Sequence, residues 1–236
     1  MSTLRARYGR GFLIALMLLG VIVLLAIAGP WFSPYACDEI DFDGRWSAAP
    51  GFARAHWFGT DSLGRDLFVR SFCGARLSLM VGLVSTAVSL VIGVSYGAIA
   101  GYRGGRLDAL MMRAVDVLYA LPFMFLVIVL MVLFGRSPIL MFVAIGAVNW
   151  LDMARVVRGQ TLALRQREFV DAARVMGLSD TQIIVRHIVP NLAGVVAVYA
   201  ALTVPQVILI ESFLSFLGLG IREPLTSWGA LINDGA

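Results

Sequence analysis

His56, Asp61, Arg65 and Asp66 are of the types that hydrolysis and metal binding use. An imidazole near two carboxylates could activate a water or hold a divalent cation. Their setting argues against both. Gly59-Thr60-Asp61 and Gly64-Arg65-Asp66 are turn and helix-cap patterns leading into an apolar run. The only other histidine, His187, is 131 positions away, so no metal cluster is specified. No catalytic triad or deaminase-type ligand set can be assembled. All 19 basic residues are Arg, which excludes a phosphate-loop lysine and a Schiff-base lysine. The chain is therefore expected to have no catalytic residue, no cofactor and no ATPase site of its own.

The most organised polar stretch is REFVDAARVMGLSDTQIIVRHIVPN, from Arg167 to Asn191. Phe169, Ala172, Ala173 and Met176 recur at i, i+3, i+4 and i+7, so they share one helix face. Gly177 fits the position after a helix, where the chain turns left-handed. Ser179 followed by Gln182 is a capping box that starts a second short helix through Ile183, Ile184 and Ile188. Pro190 is expected to limit that helix. The product is a helix-turn-helix whose small apolar patch, with Ala172 and Ala173, is rimmed by Arg165, Arg167, Glu168 and Asp171. Two occupants suit such a face: a partner's cleft, or lipid headgroups. Nucleic acid does not fit, because the segment is tethered between apolar runs on both sides.

Those runs dominate the chain. Of 236 residues, 59% are hydrophobic and 14% charged, against nearly a quarter charged in soluble domains. Five segments long enough to consider as membrane spans can be read. They are Phe12 to Ala28, Leu77 to Ala100, Val117 to Phe134, Ile139 to Leu151 continuing toward Val157, and Leu192 to Leu219. The first follows a basic head with Arg5, Arg7 and Arg10. Gly29-Pro30-Trp31-Phe32 is a poor cleavage site, so an uncleaved span is expected. Gly135-Arg136-Ser137-Pro138 is turn chemistry between neighbouring spans. With the N-terminus in the cytoplasm, 12 Arg residues lie inside and 7 outside. That orientation follows the positive-inside rule and puts Arg167 to Asn191 at the cytoplasmic surface. An odd number of spans, ending in a polar run, predicts a missing sixth span. Cys37 and Cys73 both fall in the outer stretch. A disulfide is possible there, and two unpaired thiols are the favoured reading.

DAARVMGLSDTQIIVRHIVP resembles the EAA loop of membrane subunits of ATP-binding-cassette (ABC) importers. That pattern is an acidic-Ala-Ala triplet, a glycine after three further residues, and a proline thirteen beyond it. Asp171, Ala172, Ala173, Gly177 and Pro190 match its spacing. Asp171 stands in place of the usual Glu, His187 where Ile is common, and Val189 in place of Leu. HWFGTDSLGRDLFVRSFCGARLSL (from His56), WLDMARVVRGQTL (from Trp150) and ESFLSFLGLGIREPLTSWGALINDGA (from Glu211) are similar to the dipeptide, oligopeptide and nickel branch. Within it they resemble most the C-type subunit of oligopeptide permeases.

The resemblance implies an all-α, polytopic transmembrane helical bundle of the type I ABC importer permease kind. It implies a head, first span and outer loop over 1–76, and a permease core over 77–236 with its coupling loop at 158–190. The partners implied are a second homologous permease subunit, two ATP-binding-cassette ATPase subunits and an external substrate-binding protein, with membrane lipid around them. The cargo implied is oligopeptide or dipeptide, with nickel or another small solute open, carried across a bacterial inner membrane by alternating access. Glu168, Asp171, Ala172, Ala173, Met176, Gly177 and Pro190 would then couple to the ATPases.

Three further residues are candidates for gating or for structure. Asp116 is expected to pair with Arg113 at i, i+3. Pro205 could kink the fifth span. Glu211 is expected near the outer surface, where snorkelling or pairing is cheap. The competing functions are an ion-coupled transporter or channel, and a membrane-bound assembly factor. An ion-coupled carrier needs an ionisable group near the midplane. The span interiors, so bounded, offer none, and this counts against it.

Overall fold

The computed structural model of the chain describes residues 10–42, 48–51, 56–134, 137–221 and 223–235. Arg5, Arg7, Arg45, Arg54, Arg136 and Arg222 of the charge count lie outside them, as does the Gly135-Arg136 half of the expected turn. The described residues are all-α, with only isolated β-bridges beside the helices. Four helices are long and apolar enough to cross a membrane, or five if one bent pair counts as a single span. In a bilayer only structures that satisfy their own backbone hydrogen bonds are viable, and helices do so within one segment.

The chain divides into two compact units, residues up to Leu79 with Ser212 onward, and Met80–Glu211. In the first, α1 (Arg10–Ala28) exposes apolar side chains along most of its length, which suits lipid rather than water. Its last carbonyls are capped by Arg76, whose Nε donates to Ala26 O at 2.9 Å and whose second guanidinium nitrogen donates to Ile27 O at 2.8 Å. Helix α2 (Leu67–Arg103) starts in this unit and is longer than the expected span. Asp66 caps it by accepting from Phe68 N at 2.8 Å. Cys37 and Cys73 form a disulfide, which corrects the expectation of free thiols. Spacing could not decide this, because the pairing depends on how the loop folds back onto α2.

The cluster that resembled a hydrolytic site is scaffolding. Asp61 accepts from the Leu63 and Arg65 backbone N–H groups and from Arg65 Nε at 2.7 Å. Burial pushes the Asp61 carboxyl up, but those hydrogen bonds and the Arg65 charge outweigh it and hold it below its ordinary value. His56 lies between Asp41 and Asp66, 3.1 and 3.7 Å away.

In the second unit, α3 (Gly105–Tyr119) and α4 (Phe123–Phe134) replace the expected third span. They meet at a bend of 83°, so Val117 to Phe134 is not one straight helix. Pro122 explains the break: it lacks an N–H and disfavours helical geometry at Leu121. Helix α5 (Pro138–Leu164) is a full 27 residues, carrying the fourth span well past its expected end. Helix α8 (Val189–Phe216) holds Pro205 within an unbroken run.

Helices α2 and α5 approach closely along a stripe of Gly93, Gly97 and Gly101, each one helical turn from the next. A Cβ at Gly93 would lie 2.6 Å from Met153 Cβ, and one at Gly101 2.8 Å from Arg158 O. At Gly97 it would overlap the Ala154 carbonyl oxygen. Small residues allow such contact where lipid supplies no hydrophobic drive. Gly159 on α5, by contrast, faces open space. Opposite outcomes are expected for one chemical change. Gly159→Ala raises the stability of the detergent-purified chain by about 0.5–1 kcal/mol. Gly97→Ala lowers it by about 1–3 kcal/mol. Unfolding midpoints of the two variants check this, and a Gly97→Ala midpoint at or above the parent's refutes the close contact.

Candidate functional site

The Arg167 to Asn191 stretch folds as two short helices around a tight bend. Helix α6 (Glu168–Val175) places Glu168 and Asp171 in its first turn and Arg174 in its last, complementing the helix dipole at both ends. Asp171 accepts from Arg174 at 2.8 Å. Gly177 has φ +80°, the left-handed conformation that a Cβ disfavours. Its N–H donates to Arg174 O at 2.9 Å, and the Leu178 N–H donates to Ala173 O at 3.2 Å. This is a Schellman closure, satisfying carbonyls that the helix end leaves open. Ser179 and Gln182 then form the expected capping box, and α7 (Asp180–Ile183) begins.

The chain beyond α7 departs from expectation. Pro190 does not end the helical path. Ile184–Ile188 widens into a π-helical turn and α8 continues from Val189. The Val189 N–H bonds to Ile184 O, five residues back. The wider turn gives the Pro190 ring room against the preceding carbonyls. The α6–α7 segment and the fifth span are thus joined without a loop.

The faces of α6 also differ from the sequence reading. Val170 and Ala173 are fully buried, in one cluster with Ala98, Tyr102, Met153, Val157, Ile183, Ile188 and Leu192. Ala173 therefore belongs to the packing and is removed from the exposed patch. The outward side presents Glu168, Phe169, Ala172, Asp171, Val175 at 89% exposure and Met176 at 69%. An eight-residue helix carries too few turns for periodicity to separate a buried stripe from an exposed one. Val175 was missed for the same reason. Arg174 holds the segment down from the side. Its guanidinium lies 5.4 Å from the Tyr102 ring centroid and its Nε reaches the Tyr102 hydroxyl at 3.5 Å. That hydrogen bond is the main reason its pKa is raised, with burial opposing.

Two ion pairs join α5 to α3. Arg158 grips Asp108 through two hydrogen bonds of 2.6 and 2.7 Å. Arg155 donates to Asp116 at 2.8 Å and lies 4.2 Å from the Tyr119 ring centroid. Asp116 is thus bridged to another helix rather than paired with Arg113 one turn before it. The competition is won by Arg155, which α5's extra length brings into reach. Glu211 is fully buried near the far end of α8, against neighbouring protein groups. Asp152 was missed. It lies on α5, within the expected continuation of the fourth span toward Val157, and lines a cavity. Asp152 and Arg155 thus fall within the apolar helix Ile139–Leu164, and the lack of ionisable side chains holds only for a span ended at Leu151.

Comparison with known proteins gives a concordant pattern. Residues 93–236 match the profile described as "Binding-protein-dependent transport system inner membrane component". Residues 5–50 match "N-terminal TM domain of oligopeptide transport permease C". The chain is 53% identical to the oligopeptide transport system permease protein OppC of Haemophilus influenzae, over 94% of this chain and 71% of that protein. It is 53% identical to OppC of Escherichia coli K12, over 98% and 76%. It is 44% identical to the dipeptide transport system permease protein DppC of Bacillus subtilis, over 93% and 68%.

The two alanines of the segment separate packing from surface. Ala173→Leu is expected to overpack the core and cost about 1–3 kcal/mol of stability. Ala172→Leu, on the exposed side, is expected to stay within about 0.5 kcal/mol. Denaturation midpoints of the two purified variants distinguish them, and equal losses contradict the assignment of faces.

Proposed function

We propose a function from one premise: the chain belongs to the family of binding-protein-dependent transport system inner membrane components. It is the permease subunit of an ATP-driven importer that carries oligopeptides or dipeptides across the inner membrane by alternating access. The names of its relatives support the peptide cargo. ATP hydrolysis belongs to two partner ATPase subunits. A second, related permease subunit completes the path, and an external binding protein delivers the peptide. The N-terminus lies in the cytoplasm.

One observation carries the coupling assignment. The α6–α7 bend is fixed to the membrane helices by Val170, Ala173, Ile183 and Ile188, while Phe169, Ala172, Val175 and Met176 stay exposed beside Glu168 and Asp171. A rigid apolar knob with an acidic edge suits a partner's cleft. Gly177 sets the bend, and Pro190 follows the π-turn that passes it directly into α8. Closure of the ATPase pair pushes the knob, and the packed helices move with it between outward-open and inward-open states. Asp116 and Glu211 help set how those helices rearrange, and Pro205 offers a bending point.

A cysteine introduced at Met176 in the full complex is expected to cross-link to an ATPase subunit. Met176→Glu is expected to reduce ATPase co-purification at least tenfold while membrane insertion is unchanged, since one central anchor is worth about 2 kcal/mol or more. Cross-linking to phospholipid alone, with co-purification intact, would falsify the docking role.

A further inference from the structure

A cavity of about 370 Å³ lies where the third span breaks, enclosed by residues of α3, α5, α8 and the Ala120–Pro122 turn. This is the size of a small-ligand cleft. Its polar lining comes from Tyr119, Asn149, Asp152 and Gln206, and the lining contains no basic side chain. Arg155, which lies over the ring of the lining residue Tyr119, is engaged with Asp116. The cavity thus has one carboxylate and a net attraction for positive charge.

Two details give the cavity its recognition chemistry. Asn149 is 7% exposed, and its amide nitrogen is buried without a hydrogen-bond partner. An unmade donor of this kind costs about 1–3 kcal/mol, and because the nitrogen has almost no accessible surface, a small turn of the Asn149 amide is what brings it to an occupant of the cavity. Asp152 takes a hydrogen bond from Tyr119, yet an ionised carboxylate accepts about four. Asn149 and Asp152 stand at i and i+3 on α5, neighbours on one helix face. The pair offers a donor for a carbonyl oxygen beside an acceptor for an ammonium group. The first residue of a peptide carries just that combination.

We propose that this cavity is a waypoint for the peptide in transit, with Asp152 accepting its α-ammonium group and Asn149 donating to its first carbonyl. The inference rests on the peptide-permease reading above. A free ammonium moving through a low-dielectric passage is held where a carboxylate compensates its lost hydration. Gln206, from α8, supplies a further polar group to the lining.

The test uses the complete importer with its own binding protein, reconstituted in proteoliposomes loaded with ATP. Uptake of trialanine is compared with that of N-acetyl-trialanine, in the unaltered complex and in Asp152→Asn. The same binding protein serves all arms, so its own preference cancels in the ratio of ratios. Loss of the charged contact is expected to lower the free-amine to acetylated ratio about tenfold. Asp152→Glu is expected to restore most of it. Should Asp152→Asn fail to assemble, Asp152→Ser carries the same comparison. Equal losses for both peptides, or an unchanged ratio, overturn the waypoint. Uptake of neither peptide by the unaltered complex overturns the peptide-permease reading itself, and the waypoint with it.

Discussion

The α6–α7 bend meets the membrane helices in two ways, by the continuous backbone into α8 and by side chains packed on α2 and α5, and Val170 and Ala173 are the core of the packed contact. Both are fully buried against Tyr102, Met153 and Val157 of α2 and α5. Burying a valine-sized side chain contributes about 1.5–3 kcal/mol. The ion pair between Arg103 and Asp180 at 3.8 Å, with both side chains more than half exposed, adds about 0–1 kcal/mol. The apolar contact therefore decides the rigidity of the joint. At Ala173 a larger residue would push α6 off the helices it packs against.

Prolines give three different outcomes along the same chain, and backbone accounting separates them. At Pro122 the helix stops and restarts at 83°. At Pro190 the path continues, because a π-turn supplies the room that a regular turn lacks. At Pro205 the helix simply contains the residue. The sequence reading treated Pro190 as a limit and carried one span through Pro122, reversing two of the three. A proline's local rule is the same each time. What differs is whether the neighbouring turns can widen and whether packing holds the helix on both sides.

Local chemistry was the legible part of this molecule. The Gly177 turn, the Ser179–Gln182 capping box and the Asp66 cap each depend on atoms within a few residues, and each was readable in the sequence. The existence of the long apolar helices was readable too, because lipid imposes it on composition directly. Pairings between distant residues were not. Cys37 with Cys73, Asp116 with Arg155 and Asp108 with Arg158 depend on where long helices end, which periodicity locates poorly. Asp152 illustrates the cost: the fourth span was continued toward Val157, yet its interior was judged only on the apolar run up to Leu151, and that carboxylate was passed over. The Gly93, Gly97 and Gly101 stripe was passed over in the sequence, and its reason, the close approach of α5, emerges only from tertiary structure.

The same helix carries both halves of the proposed mechanism. On α5, Asn149 and Asp152 face the cavity, Arg155 and Arg158 reach to α3, and Met153 and Val157 pack under α6. These contacts are unequal. The Arg155–Asp116 pair, whose side chains are 40% and 61% exposed, is worth about 0–1 kcal/mol. The buried cluster under α6 is worth several times that by area. The Arg158–Asp108 pair, with two hydrogen bonds and its carboxylate mostly buried, is the firmer of the two ties to α3. In the proposed mechanism a displacement of α6 would carry α5 with it through the buried cluster, and α3 would follow through Arg158. Asp152 sits on that same α5 and shares a hydrogen bond with Tyr119 at the end of α3, which puts the cavity's one carboxylate where the two helices meet.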